Sequence, residues 1–381
     1  MQKMLRVGII CNFYHPDVSG VTVVIDTLVR HLANCIEFRI FCKKAEVIKK
    51  QEDTASVSRY KSHILLSNLL TPVLGDYLHI TSLCWTNLNL FSHFDVLHFH
   101  TLWPSSLFPL LRSKRFNIPI ILSPHGQIDY MFERKWKSPY RYFVKRALEK
   151  ADNVIVFNDH EKQQCLEFAP SSKVEIIPNG VDLTFDNQTS PNSFHGLKIK
   201  DRDKIVLFVG TANRRKGFHD IIETASKFDK IGCDDIKFVV IGELTPEFEQ
   251  SNFPKNIILL GRLPSREVSC FYKRADVLIL PSYSEGMPLV ILEAMANGLP
   301  VISTNIGSIP SIVHEEHSGF IIKPGDAEML GKKICHILNY PEEASKMGEA
   351  GKKLYEERFT GKRMALDHLE LYQKLIVQEK K

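Results

Sequence analysis

A chain of 381 residues is long for one domain and comfortable for two, with ample core in each. Its 44% apolar and 24% charged residues are ordinary for a globular protein, and a net charge of +5 is too mild to argue by itself for a polyanionic partner. The eight cysteines are scattered, with no CxxC or Cys-His pattern at metal-ligand spacing, so neither a disulfide framework nor a zinc site is expected and a reducing cytosol is the simplest home.

The chain opens with Met1-Gln-Lys-Met-Leu-Arg and runs directly into the strand-like Val7-Gly-Ile-Ile-Cys11, too short for a secretory signal or a membrane span. A cytoplasmic protein is expected, able to meet a membrane only through its surface. The segment Asn12 to Val21 leads to a helical pattern from Thr22 to Ala33. A dinucleotide-binding chain would carry GxGxxG directly after this strand, and its absence disfavours a nicotinamide enzyme. Glu37 to Cys42 reads as a second strand. Residues 43–90 carry no functional reading, although His63 to Leu70 is compatible with a helix.

Phe94 to His100 reads as a strand with His98 and His100 on one face, which suits hydrogen-bonded histidines near a strand end. Ile118 to Ser123 is the next strand, broken by Pro124-His125-Gly126. Loops beyond the carboxyl ends of parallel strands carry function in open α/β sheets, so His125 is well placed among the fifteen histidines. From Arg112 to Lys150 there are ten Lys or Arg against three Asp or Glu, interleaved with Trp136, Tyr140, Tyr142 and Phe143. A basic, partly amphipathic helix over Phe132 to Lys150 suits either an anionic membrane surface or a solvated face. Nucleic acid is disfavoured because no recognised binding motif accompanies the charge.

Ala151 to Phe157 reads as a strand followed by a helix from Asp159, and Val174 to Asp182 closes the first domain, with a polar linker near Thr184 to Lys200. Lys204 to Val209 restarts the pattern, and Gly210-Thr-Ala-Asn-Arg214-Arg215-Lys216-Gly217 places cations in a glycine-bounded loop after a strand, as a diphosphate requires. Further strands are read at Phe238 to Ile241, Ile257 to Leu260 and Val277 to Leu280. Helices are read over Glu328 to Leu338, Glu342 to Arg358 and Arg363 to Val377, the last with Leu366, Leu369, Tyr372 and Leu375 at helical spacing.

The stretch after Leu280 carries the densest chemistry. Gly286 allows a turn closed to other residues, Pro288 suits a helix start, and Asn297-Gly298 can close the helix. A helix start after a glycine turn favours phosphate. Glu285 in the loop and Glu293 two turns into the helix would repel phosphate and accept hydroxyls, so the pattern implies a diphosphate flanked by hydroxyl-rich groups. A nucleotide sugar has that shape, with Glu293 on the ribose and Glu285 on the transferred sugar. The alternative is an acid near the positive end of the helix and another on a solvated face.

Glu285 and Glu293, seven residues apart in Ser-Glu-Gly-Met-Pro-Leu-Val-Ile-Leu-Glu-Ala, resemble the EX7E motif of retaining glycosyltransferases of family 4, as do Gly298-Leu-Pro-Val-Ile-Ser-Thr, Gly307-Ser-Ile-Pro, Ser318-Gly-Phe-Ile-Ile and Pro324-Gly-Asp326 after it. The resemblance implies a GT-B fold, two Rossmann-like α/β domains facing a cleft. Residues 1–185 would bind acceptor, residues 200–361 the nucleotide sugar, and 362–381 would form a helix crossing back to the first domain. It implies donor contacts from Gly20, Arg215, Lys216, Gly286, Met287, Pro288, Leu289 and Glu293, nucleobase contacts from Arg262 and Leu263, and catalytic roles for His125, Lys216 and Glu285. His125 matches the His-Gly segment of bacterial polysaccharide enzymes, in which it approaches the donor sugar, with hydrogen bonding or charge buffering fitting better than a general base. The chain departs from the family at Val21, where a second glycine is usual, and at Thr211, where an arginine is usual and Arg214 or Arg215 would substitute.

The resulting expectation is a retaining, metal-independent hexosyltransferase without cofactor. It would serve a saccharide or lipid-linked saccharide acceptor in envelope polysaccharide or lipopolysaccharide synthesis, from the cytoplasm or the inner membrane face. A nucleotide-sugar epimerase of the same fold, or a non-catalytic partner subunit, are the alternatives.

Overall fold

A computed structural model describes residues 4–12, 14–15, 19–43, 56–60, 62–64, 79–81, 88–102, 110–111, 117–128, 139–182 and 199–379. The chain divides into two compact units, Met1–Gly180 with Gly361–Lys381, and Val181–Thr360. This places the first boundary at Gly180 and not beyond Thr184. The reason is local: Val181 bridges to Thr360 and its N–H bonds to the Phe359 carbonyl, drawing both ends of the second unit together. Most of the polar linker expected near 184–200 lies outside the described residues.

The first unit is built on β1 (Leu5–Ile10), β2 (Ile36–Lys43), β3 (Ser56–Tyr60), β6 (Val96–His100), β7 (Ile120–Ser123), β8 (Asn153–Val156) and β9 (Val174–Ile176). They form a parallel sheet in the order β3-β2-β1-β6-β7-β8-β9. A separate antiparallel ribbon pairs β4 (Ser62–Ile64) with β5 (His79–Thr81). His63 and Ile64 are therefore extended, correcting the helix expected from His63. Pairing with β5 overrides the local helical pattern; the rest of that stretch lies outside the described residues.

Helix α1 (Gly20–Leu32) starts at a capping box in which Ser19 Oγ accepts from the Thr22 N–H and the Ser19 N–H donates to Thr22 Oγ1. The box draws the helix start back to Gly20. Helices α2 (Pro139–Lys150) and α3 (Asp159–Phe168) follow. The second unit holds β10 (Lys204–Val209), α4 (Phe218–Lys230), β11 (Ile236–Ile241), β12 (Ile257–Gly261), α5 (Ser265–Arg274), β13 (Val277–Leu280), α6 (Leu289–Ala296), β14 (Val301–Thr304), β15 (Gly319–Ile322), α7 (Ala327–Asn339) and α8 (Pro341–Arg358). Its sheet is parallel in the order β12-β11-β10-β13-β14-β15. Val277 to Leu280 and Val301 to Thr304 are buried throughout, as strands covered on both faces must be.

Helix α9 (Gly361–Glu379) belongs to the first unit, where it packs against α1. Its buried stripe is Met364, Ala365, His368, Leu371, Tyr372 and Leu375. Leu366, expected inside, is 49% exposed, because the stripe is set by steps of three and four from Met364 through the polar His368. Among the described residues no helix is long and apolar enough to cross a membrane.

Candidate functional site

In both sheets the strand order reverses beside the first strand, between β1 and β6 and between β10 and β13. Loops leaving the carboxyl ends at such a reversal diverge, and ligands of open α/β sheets bind there. In the second unit these are the loops 210–217 and 281–288. They are knit together: the Tyr283 N–H donates to the Arg215 carbonyl at 2.8 Å, and Arg215 Nη1 donates to the Ser284 carbonyl at 2.8 Å. Gly217 sits at a φ of 71°, and a Cβ there would lie 1.9 Å from the Pro281 carbonyl oxygen. Only glycine permits that contact.

The knot holds an ion pair. Lys216 Nζ donates to Glu285 Oε1 at 2.5 Å, Ser282 Oγ donates to the same oxygen at 2.7 Å, and Arg215 Nη1 stands 3.9 Å from Oε2. The Glu285 side chain is 7% exposed and that of Lys216 15%. The adjacent Arg214 turns instead to Glu247, at 3.4 Å on the surface. Arg214 to Lys216 form one 3-10 turn capped by Asn213, and successive residues of such a turn point about a third of a rotation apart. Of the two arginines, Arg215 is therefore the one beside Lys216.

Gly286 does not adopt the left-handed backbone expected of it. The turn is set by Ser308, whose N–H and Oγ both donate to the Gly286 carbonyl, at 3.0 and 2.6 Å. The left-handed residue is Gly307, φ 51°, where a Cβ would lie 2.1 Å from the Glu285 carbonyl oxygen. Pro288 is the N-cap residue of α6, not its first helical residue. The first turn of α6, beginning at Leu289 and following the buried Met287, carries no acidic residue and no capping side chain. Its dipole end is thus left without a protein anion.

Glu293, on α6, accepts from Tyr272 Oη of α5 at 2.7 Å through Oε2, and Oε1 has no partner among the described residues. Burial pushes its carboxyl up, partly offset by the Tyr272 hydrogen bond, while burial and the neighbouring carboxylate raise the Tyr272 hydroxyl. Arg262, just beyond β12, forms an exposed pair with Glu243 at 3.3 Å, and Leu263 is half-buried beside it. Tyr272, Ser282 and Ser308 were not singled out from sequence. Their only signal is proximity to the two acids in the fold.

In the first unit, Gly20 is the exposed first residue of α1. His125 follows β7 at a φ of 53°, unusual for a side-chain-bearing residue. Its Nε2 lies 2.8 Å from His100 Nδ1, with the rings stacked at 5.0 Å. Burial, and then the neighbouring His368, lower its pKa to about 3, so at neutral pH its imidazole is uncharged and suits hydrogen bonding better than charge buffering. Among the described residues no cluster of three or more His, Cys, Asp or Glu could hold a metal ion.

Two family models match the chain, Glycosyltransferase Family 4 over residues 18–185 and Glycosyl transferases group 1 over residues 190–354. An uncharacterized glycosyltransferase of Methanocaldococcus jannaschii is 26% identical over 372 residues, 96% of this chain and 97% of its own. The capsular polysaccharide biosynthesis glycosyltransferase CapM of Staphylococcus aureus is 27% identical over 243 residues, 58% of this chain and 62% of its own. Among solved structures, Anabaena HepE in complex with UDP and glucose is similar at a TM-score of 0.76 and 14% identity, covering 97% of this chain and 99% of that one. By its two matched halves and its two parallel sheets, the chain belongs to the glycosyltransferases of GT-B fold and resembles bacterial polysaccharide enzymes.

Proposed function

We propose that the protein is a retaining, metal-independent hexosyltransferase that moves a sugar from a nucleotide-sugar donor to a saccharide or lipid-linked saccharide in envelope polysaccharide synthesis. The observation that carries this reading is the Lys216–Glu285 pair, 2.5 Å apart at the sheet reversal, beside a helix start with no acid and no cap. Lys216 and Arg215 would neutralise the diphosphate with the α6 dipole, Glu293 would accept from the ribose through Oε1, and Glu285 would hold a sugar hydroxyl. In the reaction the bond between the anomeric carbon and the diphosphate oxygen breaks. The acceptor hydroxyl oxygen bonds to that carbon on the same face, and its proton passes to the departing diphosphate. His125, uncharged, would hydrogen-bond a sugar hydroxyl. With two cations on the leaving group, no divalent ion is called for.

The name of CapM supports a capsule-like product, and the UDP bound to HepE makes uridine nucleotides the first donors to try. For a lipid-linked acceptor, α2 offers Arg141, Arg146 and the exposed Tyr142 and Phe143 to an anionic surface; Arg112 to Arg115 and Trp136 lie outside the described residues. One assay tests the whole reading. Purified protein in EDTA, given a panel of UDP, GDP and ADP sugars, should release nucleotide faster with acceptor present, and NMR should show the donor's anomeric configuration kept in the product. Lipid-linked acceptor in anionic vesicles should react faster than in neutral ones, with the gain lost at high salt. An inverted product, activity only with a divalent ion, or release indifferent to acceptor would each contradict the corresponding part.

A further inference from the structure

Behind His125 lies a set of polar rings with no assigned role. His98 is fully buried on β6, with Nδ1 2.8 Å from Tyr372 Oη of α9 and Nε2 2.8 Å from Ser123 Oγ of β7. Both of its ring nitrogens are thereby engaged, and its ring lies 4.1 Å from that of His100, which is also fully buried. His100 in turn bonds His125 through Nδ1. His368 of α9 stands 5.7 Å from His98, ring to ring, and its Nδ1 donates to the Met364 carbonyl at 2.8 Å. Phe157 approaches His125 from the end of β8, 6.0 Å between ring centres.

The backbone at both strand ends is strained to make this meeting. Thr101, next to His100, has a φ of 81° and His125 one of 53°. Left-handed residues with side chains persist where their surroundings over-determine them. Here the Thr101 N–H bonds the Ser123 carbonyl at 2.8 Å, and the Leu102 N–H bonds Gln127 Oε1 at 2.5 Å, tying the two loops.

The hydrogen bond has a chemical consequence. A single proton lies between His100 Nδ1 and His125 Nε2, so whichever ring donates fixes the other's tautomer. The remaining nitrogen of His125, Nδ1, has no hydrogen-bond partner among the described residues. His100 therefore decides whether that nitrogen presents a donor or an acceptor to a ligand.

We propose that His100 is the positioning residue of His125, fixing its ring and tautomer so that Nδ1 meets one substrate hydroxyl, and that Tyr372 of α9 holds the arrangement from behind through His98. The proposal rests on the reading of His125 as a sugar-facing residue. His100→Leu keeps the buried volume and removes the bond, and His100→Asn keeps a polar atom at the Nδ1 position. In the transfer assay His100→Leu should lower kcat on the order of tenfold to a hundredfold, with donor KM changed less than about twofold. His100→Asn should restore most of the rate. Tyr372→Phe should move kcat the same way by a smaller factor, and serves if His100→Leu fails to fold. A wild-type kcat in His100→Leu, or in Tyr372→Phe where that is the only folded variant, would overturn the proposal. So would an Asn variant as slow as the Leu variant at equal Tm. A His125→Ala variant with wild-type kcat would remove the underlying reading of His125, and the proposal with it.

Discussion

Lys216 and Glu285 hold each other, and the pair is nearly sealed from water. Removing one partner strands the other. Lys216→Ala leaves the Glu285 carboxylate with Ser282 Oγ and an arginine at 3.9 Å, and should cost roughly 1–3 kcal/mol by urea denaturation. Adding Glu285→Gln should return much of that loss, because the stranded charge is gone; a double variant whose cost is the plain sum of the singles would contradict the coupling. At this scale Glu285 and Lys216 were legible because each stands beside a glycine in a loop after a strand, and Glu293 because it lies two turns into the helix that follows. Their partners were not. Tyr272 reaches Glu293 from another helix, and one 3-10 step decides that Arg215 and not Arg214 faces Glu285, which no spacing rule states.

Among elements, strand β6, the loop after β7 and helix α9 share the clustered histidines. Burial lowers His98 and His100 well below the ordinary imidazole pKa of about 6.5, His125 to about 3 and His368 to about 4. The folded state then binds fewer protons than the unfolded chain wherever pH lies below the unfolded value. Their stabilising contribution is complete above about pH 6.5 and is lost as pH falls, by up to about 1.4 kcal/mol per pH unit for each group that stays neutral. Tm should therefore drop more steeply from pH 6.5 to 5 than from 8 to 6.5. His368→Gln should flatten the acid side, and an equal acid slope in that variant would argue that other groups set it. The strands themselves were legible as β-branched runs bounded by Pro, Gly and Asn. Helix α5 was not read, since Phe271 and Tyr272 are its only buried residues in a polar segment, and the inward face of α9 was misplaced because His368, a polar residue, lies at its centre.

For the whole molecule, two successive runs of alternating strand and helix made two parallel sheets readable, and the carboxyl-edge rule then pointed to the loops that carry Lys216, Glu285 and His125. The closing bridge between Val181 and Thr360 was beyond local pattern, since it joins residues at opposite ends of the second unit. The central claim is that the knotted loops and the α6 start bind a nucleotide sugar without a metal. Thermal unfolding with UDP, GDP and ADP and their common sugar conjugates, in EDTA, tests it most directly, because a ligand that binds the folded state raises Tm by mass action. Tm should rise with one nucleotide, with the rise kept in EDTA and lost in Glu293→Ala. No rise with any of them, or a rise that the Glu293 variant keeps, would contradict it.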